Sequence, residues 1–245
     1  MGIPLSIFAH LLSATTTYAA EPIFCQGEIE RAKLAVSRIR EEWPLRGPDD
    51  LTQYIQRLGT TVAHSDPRGR RMQWHFGIVR DYAPNAFSAG NGYIYVTDGT
   101  VRFAQTEAEL AGVLAHEIGH ELAGHFCLDP RAGERSFWDL VGRNNKQGDR
   151  TTQRESIGSL TQVIDTEKEL EADRLAVTLL EFAGYDARGM LAMSRRLPPG
   201  AGPAASHLQN QRRITALERL LAGVPSRSAR DSLEFQQLKQ KLATE

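Results

Sequence analysis

Between residues 26 and 63 the apolar positions recur at helical spacing in two blocks, about 26 to 42 and 49 to 63. Trp43-Pro44-Leu45-Arg46-Gly47-Pro48 interrupts them, and Asp49 or Asp50 supplies an N-cap for the second. Gln73 to Val79 and Tyr93 to Thr97 have strand composition, and Asn85 to Gly92 reads as the turn-rich connection between them. A helix over about 106 to 124 opens with Thr106 and has Glu109 three residues on, the spacing of a capping box. Residues 129 to 165 are polar apart from Phe137-Trp138, and the pattern predicts a further helix over 166 to 183 that stops at Gly184. A Pro and Gly segment, 198 to 203, precedes a last long helix from about Ser206, and Leu233 to Leu242 form one more leucine-containing stretch. No repeat is present. The sum is an α+β fold, mainly helical, with a small sheet.

The first 20 residues stand apart from this pattern. They carry no charge except on His10, and Ile3 to Leu12 form an apolar run that ends in Tyr18-Ala19-Ala20. This predicts a secretory signal over 1 to 20, cleaved near Ala19 or Ala20, although no Lys or Arg follows Met1. The run is too short to span a bilayer. One folded domain is then expected over 21 to 222, with a helical tail over 223 to 245.

Charge adds an exclusion. With 29 Lys and Arg against 30 Asp and Glu, the chain has no basic excess that would mark nucleic acid as its partner. Its two cysteines, Cys25 and Cys127, cannot build a four-thiolate zinc site or a disulfide-rich scaffold, so a metal must be held mainly by His and carboxylates. Export would permit these two to bridge; two separate thiols are the alternative.

His116-Glu117-Ile118-Gly119-His120 lies within the 106 to 124 helix. At about 100° per residue, His116 and His120 are offset by about 40° and one turn, so both rings can converge on one ion. Glu117 sits at the margin of that face, where its carboxylate can serve as a base for water. Ala108, Ala111, Gly112, Ala115, Gly119 and Ala123 line one side of this helix, and Leu110, Leu114, Ile118 and Leu122 line another, so it is expected to be buried nearly all round. His125 points about 180° from the pair and reads as a residue behind the ligands or on the surface.

A third protein ligand is needed, and the helix from 166 offers Glu169 and Glu171. Ala172, Asp173, Ala176, Val177, Leu179 and Leu180 share a face with Glu169, whereas Glu171 falls among Glu167, Arg174, Thr178 and Glu181. Glu169 is therefore expected to bind the ion and Asp173 to orient a histidine ring from behind, with Glu171 on the solvated face beside Arg174.

These motifs, with Asn85-Ala86-Phe87 leading into Gly92-Tyr93-Ile94-Tyr95-Val96, resemble the HtpX and CAAX-prenyl-endopeptidase family of gluzincin metalloproteases, over about residues 49 to 222. Within it the likeness is to the soluble exported branch of the β-barrel assembly-enhancing protease. The resemblance implies a zincin-like domain, one Zn2+ per chain, a periplasmic setting, and as substrate a misfolded or unassembled envelope protein. It also implies a peripheral association with the outer membrane or its assembly machinery. Gly92, Tyr93, Ile94, Tyr95 and Val96 are implied to be the edge strand on which substrate lies extended. The branch carries tetratricopeptide repeats behind the protease domain; none is expected here, so a separate partner would supply that docking surface. His207 matches the position from which a histidine approaches the zinc in the resting state, with Leu208 where the family has proline. Arg213 is implied to stabilise an oxyanion, a carboxylate-pairing role being the alternative.

The expected activity is hydrolysis of a peptide bond, with Glu117 moving the proton and the segment around Phe137 and Trp138 covering the cleft. The competing class is a latent, zinc-stabilised chaperone or assembly factor.

Overall fold

A computed structural model describes Cys25 and residues 27–127, 166–197, 211–227 and 231–245. The expected signal segment, Phe137 and Trp138, and His207 lie outside the described residues. The elements in chain order are α1 (Glu28–Glu42), α2 (Asp50–Ala63), β1 (His75–Val79), β2 (Ala86–Gly90), β3 (Tyr93–Thr97), α3 (Asp98–Phe103), α4 (Glu107–Leu122), α5 (Thr166–Ala183), α6 (Arg188–Arg196), α7 (Gln211–Leu221) and α8 (Leu233–Ala243). A single 3-10 turn, Gly69–Arg71, joins α2 to β1. Among the described residues no helix is long and apolar enough to cross a membrane.

Two caps form as the sequence predicts. The Asp49 carboxylate accepts from the Thr52 N–H at the start of α2, and the Thr106 hydroxyl accepts from the Glu109 N–H at the start of α4. Each satisfies one orphan donor of a first turn. Glu109 also accepts from the Gln105 N–H and pairs with Arg196, which ties α4 to α6.

The sheet lies between helices. Phe87, Ala89 and Tyr95 face Ala35, Val36 and Ile39 of α1, while Ala86, Ile94 and Val96 turn to the larger core shared with α2 and α4. All 16 residues of α4 are buried, as its pattern of small and large apolar positions predicts. Helix α8, within the expected C-terminal tail, packs Phe235, Leu238 and Leu242 into the same core, where the Phe235 ring stacks on Tyr54.

Three elements depart from the sequence reading. Helices α3 and α6 are additional, and residues 86–90, expected to belong to a connection, form a strand. Ala86-Phe87-Ser88-Ala89-Gly90 contains no β-branched residue, and it is buried at every position because α1 covers one face and α4 the other. It therefore lacks both the composition and the alternation by which strands are recognised.

That strand corrects the expected substrate edge. The order is β1–β3–β2, with β1 parallel and β2 antiparallel to β3. Tyr93, Ile94, Tyr95 and Val96 are thus paired on both sides, and with Gly92 they are not an edge. The outer side of β1 is covered too, since the Arg46 N–H donates to the Ile78 carbonyl and the Arg80 N–H to the Pro44 carbonyl. Among the described residues the strand paired on one side alone is β2.

Cys25 and Cys127 form a disulfide, with Cα atoms 5.6 Å apart across a separation of 102 residues. Closing a loop of that length restricts the unfolded chain by about 4 to 5 kcal/mol in the chain-entropy account. The bridge joins the start of α1 to the segment just beyond α4.

Candidate active site

Helices α4 and α5 cross where both are narrowest. A Cβ on Gly119 would lie 2.7 Å from the Ala172 carbonyl oxygen, so the missing side chain is what lets the two backbones approach. This contact brings Glu169 to the two histidines. His116 Nε2 and His120 Nε2 are 3.0 Å apart, and the Glu169 oxygens lie 3.4 Å from the first and 3.5 Å from the second. All three side chains are buried.

These separations test whether a zinc ion fits. Ligands about 2.05 Å from a tetrahedral centre are separated by about 3.3 Å, and the His–His distance and the distance from each ring to its nearer Glu169 oxygen bracket that value. Two imidazoles and a carboxylate are also a donor set that suits Zn2+. The residues present fit the ion, and Glu169, not Glu171, is the carboxylate among them.

Outside this triangle each histidine has a partner on Nδ1. His116 Nδ1 lies 2.9 Å from Asp173 Oδ1. Asp173 in turn meets Arg213, which also places Nη1 3.0 Å from Glu169 Oε2. Burial opposes ionisation of Asp173, but Arg213 and His116 overcome it and hold the carboxyl down at about 2. Arg213 is itself buried, so the structure places it on the carboxylates of α5.

His120 Nδ1 lies 2.8 Å from His125 Nδ1, a contact the helical projection does not predict. The reason is the end of α4. Gly124 adopts φ 68°, the Gly124 N–H donates to the Glu121 carbonyl and the His125 N–H to the His120 carbonyl. This is a Schellman ending, and it turns His125 back over the last turn of the helix.

Glu117 is buried beside the triangle, where burial raises its carboxyl to about 7, the nearby His116 and Arg213 charges opposing the rise. The Ser88 main chain of β2 lies close enough to it to oppose that rise as well. The register explains that contact. The Thr97 N–H donates to the Asn85 carbonyl, and Ala86 stands opposite Val96, Phe87 opposite Tyr95 and Ser88 opposite Ile94. Bonded pairs alternate in an antiparallel ladder, so the main-chain groups of Ala86 and Ser88 turn outward, toward the side of β2 that no described strand pairs.

Two buried carboxylates not anticipated from the sequence hold this strand. Glu121 accepts from the Ser88 hydroxyl through one oxygen and from the Gly92 N–H, at 3.3 Å, through the other. Glu28 of α1 accepts from the Asn91 N–H, also at 3.3 Å. The turn between β2 and β3 has positive φ at Gly90, Asn91 and Gly92, which leaves its N–H groups pointing inward with no ladder partner. Glu121 lies one turn beyond Glu117 on the same helix, outside the His-Glu-x-x-His spacing, and its role shows only once the strand above it is known.

The model for Peptidase family M48 matches residues 49–221. The β-barrel assembly-enhancing protease of Escherichia coli (strain K12) is 26% identical over 197 residues, covering 74% of this chain and 39% of that protein. The protein of the same name from Yersinia pestis is 28% identical over 196 residues, with 74% and 39% covered. The mitochondrial metalloendopeptidase OMA1 of Schizosaccharomyces pombe is 26% identical over 181 residues, with 70% and 52% covered. The chain thus spans between about two fifths and one half of the length of these relatives. The resemblance read from the motifs is borne out, and with most of its length matched the chain belongs to peptidase family M48.

Proposed function

We propose that this protein is an exported, zinc-dependent endopeptidase that cleaves misfolded or unassembled envelope proteins. One observation carries the reading: His116, His120 and Glu169 form a buried cluster of zinc-ligand dimensions, with Glu117 beside that cluster and next to strand β2. Relatives named for β-barrel assembly support envelope proteins as the substrate class and the periplasm as the setting.

Zinc held by these three residues supplies Lewis-acid polarisation of the scissile carbonyl and lowers the pKa of the attacking water. The chain's own residues do the rest. A substrate segment adds to β2 as an antiparallel strand, bonding to the outward main-chain groups of Ala86 and to the Ser88 carbonyl. Because Ser88 abuts Glu117, this addition brings the peptide bond next to the base. Glu117 takes the proton of the attacking water and passes it to the leaving amine. Asp173 fixes the His116 ring, and Arg213 acts through Asp173 and Glu169.

Wild type and Glu117→Gln, incubated with envelope extract, test the reading. Both should carry one equivalent of zinc and keep the fold, and the wild type alone should generate fragments. Less than about half an equivalent of zinc in the wild type would sink the metal assignment. Full cellular function in Glu117→Gln would favour the chaperone or assembly-factor role instead. His207→Ala, run alongside, should raise activity where that histidine holds the resting site closed.

A further inference from the structure

The structure assigns a second, separate support to the metal site: we propose that His125 and Glu171 act as positioning residues that fix the ring and proton of His120. The inference rests on the reading of His120 as a zinc ligand.

Its observations form a chain. His120 Nε2 faces His116 and Glu169, so its Nδ1 is the atom left for an outer partner. That atom lies 2.8 Å from His125 Nδ1, and His125 Nε2 lies 3.2 Å from Glu171 Oε2. The side chain of His125 is 5% exposed and that of Glu171 is 54% exposed, so the chain runs from the buried triangle to the surface.

Proton placement follows a single direction. A neutral imidazole offers one nitrogen as donor and the other as acceptor. His120 needs its Nε2 lone pair for the ion, so Nδ1 carries the hydrogen and donates to His125 Nδ1. His125 then carries its own hydrogen on Nε2 and donates it to Glu171, a carboxylate that can only accept. No other assignment satisfies both contacts while leaving His120 Nε2 available.

The arrangement repeats what Asp173 does for His116 with different residue types. Asp173 and Glu171 both come from α5, the helix that also carries Glu169. One helix therefore provides the third ligand and the terminal acceptor behind each of the other two. Removing partners of this kind typically weakens metal binding by about 10- to 100-fold. A buried imidazole is costly unless its nitrogens are bonded, and His125 has both bonded here.

Zinc affinity, measured on the full chain by competition with a chromophoric chelator, tests the relay. His125→Ala should weaken zinc binding by about 10- to 100-fold, and Glu171→Ala by a smaller factor in the same direction. Glu171→Gln, which can still accept from His125, should recover most of the loss. Glu171 is half exposed, so its variants answer the question even where His125→Ala does not fold. In the zinc-loaded wild type, long-range proton–nitrogen spectra should place the hydrogen of His120 on Nδ1 and that of His125 on Nε2. Zinc affinity of Glu171→Ala within about twofold of Glu171→Gln, or the opposite tautomer of His125, would overturn the inference while leaving the endopeptidase reading intact. A wild type that binds no zinc overturns both.

Discussion

Arg213 grips Asp173 from two sides, with Nε 2.9 Å from Oδ2 and Nη2 2.5 Å from Oδ1, directly behind the Nδ1 face of His116. Both side chains are nearly inaccessible, and the same guanidinium also reaches Glu169. In the metal-free protein Arg213 is therefore a cation shared by two buried carboxylates. Removing it leaves them the imidazoles of His116 and His120 for compensation, and breaking a buried pair of this kind costs about 3–5 kcal/mol. Arg213→Ala should lose that much in urea unfolding of the metal-free chain. Arg213→Lys should recover little, because an ammonium cannot reproduce the planar two-point contact. An unchanged unfolding midpoint in Arg213→Ala would rule out this role.

How much of the site is legible in the sequence depends on where the information sits. His116, Glu117, His120, Glu169 and Asp173 lie within single helices, and a 3.6-residue period suffices to place them on the faces where they are found. His125 is lost to the same projection because Gly124 ends the helix before it. The strand β2 is hidden because burial on both faces erases alternation, and with it goes the correct edge: a central strand rich in Tyr, Ile and Val looks more like a substrate platform than Ala-Phe-Ser-Ala-Gly does. Glu171 follows its solvated face, yet its carboxylate bends to His125, a distance of 46 residues along the chain that no local pattern encodes.

Glu121 fixes β2 over the zinc-ligand helix, since it bonds Ser88 near the end of the strand and Gly92 beyond the turn. Glu121→Ala leaves the buried Gly92 N–H unsatisfied and the Ser88 hydroxyl with only its longer bond to the Tyr93 carbonyl, at about 1–3 kcal/mol. The same variant should raise KM for a peptide substrate more than it lowers kcat, because Glu117 and the ligands keep their places while the strand that receives the peptide loses its anchor. Glu121→Gln retains an acceptor and should fall between the two. Equal KM values in Glu121→Ala and the wild type would show that the strand is held without it.

Stability should depend on pH through Glu28. Its carboxyl is buried, and burial raises it above its ordinary value of 4.5 despite the N–H groups of Asn91 and Cys25 and the charge of Arg31. The folded chain then keeps a proton that the unfolded chain releases. The contribution of this group is complete below about 4.5 and declines as pH rises through the raised folded value. Glu28→Gln keeps an acceptor for Asn91 but does not titrate. The unfolding free energy of the wild type relative to Glu28→Gln should therefore fall as pH rises above 4.5, and a constant difference would contradict the shift.

Gly119 offers a way to strain the metal site without touching a ligand. His116 and His120 belong to α4 and Glu169 to α5, so two of the three triangle edges cross the interface that Gly119 keeps close. A Cβ there would meet the Ala172 carbonyl oxygen at 2.7 Å and its Cα at 3.2 Å, both backbone atoms, so relief requires the helices to move apart. Overpacking of this kind costs about 1–3 kcal/mol, whereas alanine in a helix interior gains about 1 kcal/mol over glycine. The metal-free chain should thus lose at most about 2 kcal/mol. Zinc should bind about 10- to 100-fold more weakly, because the ion alone requires the original spacing between the helices. If Gly119→Ala instead loses more stability than this while zinc affinity holds, the strain is absorbed by the core and the ligand triangle is set by α4 and α5 independently of their contact at this point.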